Sequence, residues 1–387
     1  MRTQVGIVGA GPAGLLLSHL LHLHGISSVV LESRDRDYVE QRVRAGVLEQ
    51  GTVDLLKETG VADRLDAEGL RHEGIELRFD GESHRVPMTE LTGRAITVYG
   101  QQEVVKDLIA RRLADGGDVR FDVSDVRVSG LTSDNPTVSF VHDGTAQELV
   151  CDVVAGCDGF HGTTRDSIPD GALRTFERTY PFAWLGILAE AAPSVEELIY
   201  CSHQRGFALY SMRSPRISRL YLQVTPDADL ADWPDDRVWE ELATRFALTG
   251  SDWRPTEGPI IDKGVTPMRS FVTEPMQYGR LMLAGDAVHI VPPTGAKGMN
   301  LAVNDVRLMA RALDAWFATG DDGLVQSYTR DALHRVWRAQ HFSWWMTSML
   351  HRFDGGDPYQ HRLQVAQLRN VVDSRAYATA LSEHYVG

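Results

Sequence analysis

Apolar positions cluster at both ends of the chain with the period of a buried parallel sheet and its covering helices. Thr3-Gln4-Val5-Gly6-Ile7-Val8 predicts a central strand, Gly9 to Gly14 a turn, Leu15 to Leu23 an apolar helix, and Ser27-Ser28-Val29-Val30-Leu31-Glu32 a second strand. Late in the chain, Leu281-Met282-Leu283-Ala284 predicts another buried strand. It runs through Gly285, Asp286, a Pro292-Pro293 turn and the loop Thr294-Gly295-Ala296-Lys297 into a helix from Gly298-Met299-Asn300 onward.

Between these ends the pattern changes. Residues 52–70 predict one amphipathic helix with its exit, and 72–79 alternate as a strand. Residues 95–102 lead into a helix ending near Ala114. Val119–Val123 and Thr137–Val141 predict strands of a small β element, and Val150 to Ala155 a buried strand ending at Cys157-Asp158-Gly159. From about 175 to 267, short runs at 183–189, 197–201, 206–211 and 218–224 predict an inserted antiparallel sheet, with a helix at 235–247. Residues 301–318 and 322–350 are helical and aromatic-rich. The expected fold is α/β: a Rossmann-like nucleotide-binding domain at 1–175 with a small β element, a β-sheet substrate domain at 176–267, and a return with a helical C-terminal region at 268–387.

Composition narrows the function classes. The net charge of −14 disfavours nucleic acid and anionic membrane as partners. Three cysteines without CxxC spacing predict a reducing compartment, and no His/Cys/Asp/Glu group has metal-ligand spacing. The strand pattern begins by Val5 with no signal peptide before it, so the expected location is cytoplasmic.

The first turn reads GxGxxG. Gly9 permits the tight turn, Gly11 lets backbone approach a pyrophosphate, and Gly14 lets helix and strand pack closely, with Ala13 beside it. Glu32 ends the second strand, placed to hold a ribose hydroxyl. Arg42 and Arg44 could meet a pyrophosphate, or could be a solvated helix end. Asp158 and Asp286 each end a predicted strand beside glycine, where a ligand crevice or a plain turn would serve equally. Asp286 could take a ribityl hydroxyl, and the amides entering the helix at Gly298 could face a negative charge.

Three ligand-facing turns thus stand in fixed order: GAGPAG (9–14), CDGFHGTTR (157–165) and GDAVHIVPPTGAKGMN (285–300). With RVRAGVLEQGTVDLL (42–56), HEGIELRF (72–79), RGFALYSMRS (205–214) and FSWWMTSMLHRF (342–353), the chain resembles the class A flavoprotein aromatic hydroxylases along nearly its whole length. The resemblance implies FAD, held by Glu32, by Arg42, Val43, Arg44, Ala45, Gly46 and Val47, and by Gln101, Asp158, Arg219 and Asp286. Gly298, Met299 and Asn300 would lie against the flavin ring. It implies a benzoate whose carboxylate meets Arg213, with Ser211, Met212 and Tyr221 alongside. The substrate phenol would meet Tyr200 and the Pro293 carbonyl, and a proton relay would run through Tyr385 to His72.

The implied reaction hydroxylates 4-hydroxybenzoate to 3,4-dihydroxybenzoate with NAD(P)H and O₂, through a flavin C4a-hydroperoxide. Another benzoate, 3-hydroxy- or 4-aminobenzoate, is the alternative; a non-catalytic FAD-fold binding protein is a more distant one. With one GxGxxG only, the nicotinamide donor would bind transiently, touching Arg44, His161 and Arg269. Ser33 follows Glu32 where NADPH-preferring members carry a basic residue, so NADH or dual use is expected. The family further implies a homodimer.

Overall fold

The computed structural model describes residues 1–43, 46–353 and 357–387. Arg44 and Ala45 lie outside the described residues. The N-terminal pattern folds as a six-stranded sheet in the order Gln277–Tyr278, Leu281–Leu283, Val153–Gly156, Val5–Val8, Ser28–Leu31 and Asp118–Arg120. All pairs are parallel except the Gln277–Tyr278 edge. Its central strands are apolar at every position because both faces are covered: Ile7 packs toward the Pro12–Leu23 helix, and Gly6 faces Val138 and Leu149 of a small β element.

The strand at 118–120 joins this sheet, not the small β element expected for it. That element consists of Ser124–Ser129, Thr137–His142 and Thr145–Val150. The single helix expected at 52–70 is two, Gln50–Glu58 and Asp63–Glu68, because Gly60 takes a left-handed φ of +73° between them. The strand expected at 72–79 is also split: Leu70–His72 and Ile75–Phe79 belong to different sheets.

The second large sheet has eight strands, in the order His289–Ile290, Ile260–Glu274, Arg174–Ala189, Ile217–Val224, Ala208–Ser214, Leu198–Cys201, Ile75–Phe79 and Glu82–Val86. It is antiparallel except where Leu198–Cys201 pairs in parallel with Ile75–Phe79. Its central strands Leu198–Cys201 and Ala208–Ser214 bury side chains on both faces because both are covered. Ile199, Cys201, Tyr210, Leu220 and Leu222 pack with the Asp235–Phe246 helix. Leu198, Tyr200, Leu209 and Trp184 pack with residues of the C-terminal helices, including Phe342, Met346, Leu381 and Tyr385. Those helices are Gly298–Thr319, Gly323–Leu350, Pro358–Asp373 and Arg375–Val386. Among the described residues no helix is long and apolar enough to cross a membrane.

Candidate active site

Strand register builds one wall of the site. Tyr200 lies opposite Leu209, Leu209 opposite Tyr221, and Tyr221 opposite Gly186. Side chains on a strand alternate, so Ser211 shares the face of Leu209 and Arg219 that of Tyr221; Arg213 stands where the register shifts between Met212 and Ser214, and its guanidinium reaches Ser211 and Tyr221. A slip of one residue would turn all of them to the opposite core.

Arg213 donates through Nη1 to Ser211 Oγ at 3.3 Å and to the Met212 carbonyl at 3.2 Å. Its Nε is buried and has no hydrogen-bond partner among the described residues. Among the described residues no carboxylate pairs with it. Burial holds its pKa below the ordinary value. Burial by itself would raise the Tyr221 phenol, but the Arg213 and Arg219 guanidiniums outweigh it, and the net shift is downward. This face is therefore electropositive around Arg213. Arg219 lies across Gly186, where a Cβ would stand 2.7 Å from its Nη2, and its Nη1 is 3.5 Å from Asp262.

Tyr200 and Tyr385 are 2% and 1% exposed, and their hydroxyls share a short hydrogen bond. Tyr385 belongs to a packed helix, not a frayed terminus. Burial raises both phenols, so each stays protonated and can pass a proton without holding charge. His72 is buried on its own strand, and neither ring nitrogen has a hydrogen-bond partner among the described residues. Burial lowers its pKa to about 4. The structure therefore joins the two tyrosines directly and leaves His72 out of hydrogen-bond contact with them. Pro293 opens a short 3-10 turn, and its carbonyl accepts the Ala296 amide at 2.9 Å, leaving one lone pair.

The nucleotide side follows the Gly-rich turn. Gly9 adopts φ +104°, and a Cβ on Gly14 would stand 2.0 Å from the Gly9 carbonyl. Gly11 and Gly298 open onto empty space, so a cofactor can approach both helix N-termini at backbone distance. Glu32 accepts the Ala10 amide at 2.7 Å and the Arg34 amide at 2.9 Å, which ties the second strand's end to the turn. Arg42 stands 5.7 Å from the Tyr38 ring and Val43 is exposed; Gly46 contacts the 99–100 backbone, followed by the strand residue Val47. Gln101 begins the Gln101–Ala114 helix, half-buried. Asp286 is exposed on the Gly285–Ala287 turn.

Two motif side chains turn inward. Asp158 accepts the Thr164 amide at 2.9 Å and the Thr164 hydroxyl at 2.6 Å. The Asn300 carboxamide is used on Glu49 N, Thr52 Oγ1, Val47 O and Ala296 O. What residues 298–300 offer a ligand is the helix-entry backbone, with Met299 half-buried beside it. His161 and Arg269 both meet Phe160, the latter 4.6 Å from its ring centre.

Sequence reasoning assigned no role to three buried groups here. Lys297 donates to Glu49 at 2.6 Å and to the Tyr385 carbonyl at 3.0 Å, while Arg335 also pairs with Glu49. Trp184, its ring tilted against Tyr221 at 4.8 Å, donates to His351 at 2.7 Å. His289 pairs with Asp305 at 2.6 Å. The only signal for them was polar residues set among apolar ones.

A family model described as FAD binding domain matches residues 2–343. The chain is 47% identical to "p-hydroxybenzoate hydroxylase" of Acinetobacter baylyi, over 100% of this chain and 96% of that one. The chain belongs to the class A FAD-dependent aromatic hydroxylases. As a member of that family it is an FAD-dependent monooxygenase, and the open glycines and helix N-termini fit the cofactor. It is also 25% identical to "Probable NADH-specific resorcinol 4-hydroxylase" of Rhodococcus jostii, covering 84% of this chain and 61% of that one. The crystal structure of p-nitrophenol 4-monooxygenase from Pseudomonas putida shares the fold, with a TM-score of 0.85 and 19% identity over 100% of this chain and 99% of that one.

Proposed function

We propose that this hydroxylase converts 4-hydroxybenzoate to 3,4-dihydroxybenzoate with NAD(P)H and O₂. The observation that carries the reading is the half-buried Arg213, its Nε buried and no carboxylate paired with it among the described residues, on the strand next to that of Tyr200 and its Tyr385 partner. Arg213, with Ser211 and Tyr221, takes the carboxylate as a charge-assisted fork, and Met212 contributes its backbone. Tyr200 and the free lone pair of Pro293 take the phenol. A phenolate ring is far more nucleophilic than a phenol, and the two arginines favour the anion. The proton leaves through Tyr200 to Tyr385, with His72 at the far end of the route.

FAD, when bound, supplies the reduction and the activation of O₂. Glu32 and the 9–14 amides hold its adenosine and diphosphate end with Arg42, Arg44 and Gln101, and Asp158 shapes the neighbouring loop. Asp286 holds the ribityl chain. Residues 298–300 face the ring with the positive end of a helix, as a site for developing negative charge requires. Arg219 steadies the ring from the substrate sheet.

The donor crosses near His161, Arg269 and Arg44. NADH, or dual use, is favoured because Ser33 turns back to Glu32 at 3.3 Å, and of the two nearby basic residues Arg36 is tied to Glu40 at 2.6 Å and Arg34 lies over the Tyr38 ring at 5.1 Å. The enzyme acts in the cytoplasm, where its three unpaired, buried cysteines stay reduced. It works as a homodimer through the exposed Trp337, Trp344, Leu363 and Tyr377. The test is product analysis by HPLC after incubation with 4-hydroxybenzoate, NADH and O₂. 3,4-Dihydroxybenzoate supports the reading; turnover of 3-hydroxy- or 4-aminobenzoate alone overturns it.

A further inference from the structure

The pair Asp305–His289 lies outside the substrate wall and has no role in the chemistry above. Asp305 is on the Gly298–Thr319 helix and is 0% exposed. One of its oxygens, Oδ2, accepts the Gly285 amide at 3.0 Å and meets His289 Nε2 at 2.6 Å. Those contacts fall at the two ends of the stretch 285–289, with Asp286 exposed on its outer side. Inside the stretch, the Val288 amide donates to the Gly285 carbonyl at 3.0 Å, and Gly285 itself takes φ +65°.

A buried ion pair contributes little net stability, because its desolvation offsets its attraction. The second oxygen of Asp305, Oδ1, has no hydrogen-bond partner among the described residues. What the carboxylate does fix is backbone: it sets the direction of the Gly285 amide and the position of His289, and so where the Asp286 carboxylate emerges. Asp286 also acts electrostatically on His289, which links the outer carboxylate to the inner one through a single imidazole.

We propose that Asp305, acting through the Gly285 amide and His289, is the positioning residue that aims Asp286 at the FAD ribityl chain and thereby sets FAD affinity. The proposal rests on the reading of Asp286 as the ribityl-binding residue. Supporting groups behind a ligand-binding carboxylate act in this way when they lock its orientation.

The experiment prepares apoprotein of the wild type, Asp286→Ala, Asp305→Asn, His289→Gln and the Asp286→Ala/Asp305→Asn double variant, and titrates FAD by quenching of flavin fluorescence. Asp305→Asn and His289→Gln should each weaken FAD binding roughly tenfold to a hundredfold, the loss of one charge-assisted contact or more. In the Asp286→Ala background, Asp305→Asn should change Kd less than about twofold, since residues acting as one unit are not additive. Far-UV circular dichroism and melting of the apoproteins check folding. If Asp305→Asn fails to fold, His289→Gln, which leaves the Asp305–Gly285 bond in place, carries the same cycle with Asp286→Ala. If Asp286→Ala leaves Kd unchanged, the ribityl assignment fails and this proposal with it. If Asp286→Ala weakens binding but Asp305→Asn is unaffected or fully additive, only the positioning role is overturned.

Discussion

Replacing Arg213 with Gln removes a half-buried guanidinium that, among the described residues, has no carboxylate and whose buried Nε has no hydrogen-bond partner. In the free enzyme that group is a liability. A buried donor without a partner costs about 1–3 kcal/mol, and burial already disfavours its charge. The substituted apoprotein should therefore melt at the same temperature or higher. In the complex the sign reverses. Truncating one partner of a buried, hydrogen-bonded charge pair costs about 2–5 kcal/mol, which weakens binding from about thirtyfold to several thousandfold at 1.4 kcal/mol per tenfold. The assay is a titration of the flavin absorbance change with 4-hydroxybenzoate, and in parallel with the neutral 4-hydroxybenzamide. The acid should lose at least about thirtyfold in affinity, within that range. The amide, which cannot form the charge pair, should lose less than about threefold, the scale of one modest hydrogen bond. Equal losses for acid and amide would refute a carboxylate site at Arg213, and so would unchanged binding of the acid. A fall in melting temperature with unchanged affinity would make Arg213 a structural residue.

Three further outcomes test neighbouring parts of the argument. Tyr200→Phe removes one hydroxyl of the Tyr200–Tyr385 bond, so NAD(P)H oxidation should continue while less of it ends in product and more in H₂O₂; unchanged coupling counts against the relay. The ratio of kcat/KM for NADH to that for NADPH should exceed one, and a strong NADPH preference would contradict the reading of Ser33 and Arg36. His351 is held neutral, its pKa lowered by burial to about 3, so the unfolded state binds the extra proton between the ordinary value of 6.5 and that figure. Stability therefore rises with pH across this window and is lost as pH falls below about 6.5; His351→Asn should reduce the slope by up to about 1.4 kcal/mol per pH unit between pH 6 and 4, as read from urea unfolding.

The parts of the fold that were legible are those where one period runs uninterrupted. Val5–Val8, Pro12–Leu23 and Ser28–Leu31 form a unit whose pattern needs no distant partner to be read. The places that differed are those where a single residue decides. Gly60 breaks a helix whose apolar spacing continues across it. Val119 alternates like any short strand, and nothing local tells it which of two sheets will accept it. Ile75–Phe79 pairs with Leu198–Cys201 across more than a hundred positions of sequence, a contact that alternation cannot express.

The candidate site divides along a different line. Sequence carries residue type and spacing, but not whether a polar side chain points at a ligand or back into its own loop. Asp158 and Asp286 look alike in the chain, each an acid beside glycine after an apolar strand, yet Asp158 closes on Thr164 while Asp286 stands exposed. Asn300 spends its whole carboxamide on the backbone of 47, 49 and 296 and on Thr52, so what it leaves open to a ligand is a backbone any residue could provide. The identity of Asn300 is thus explained by the loop it fastens. The same holds for Lys297, which looks like a solvated lysine in a Gly-rich turn and is instead buried between Glu49 and the Tyr385 carbonyl. Through that bond the loop at 294–297 is tied to the Arg375–Val386 helix, which carries Tyr385. Breaking the buried pair of Lys297 and Glu49 costs about 3–5 kcal/mol. The tie between loop and helix is therefore a property of packing between residues far apart in sequence, which is why no motif announces it.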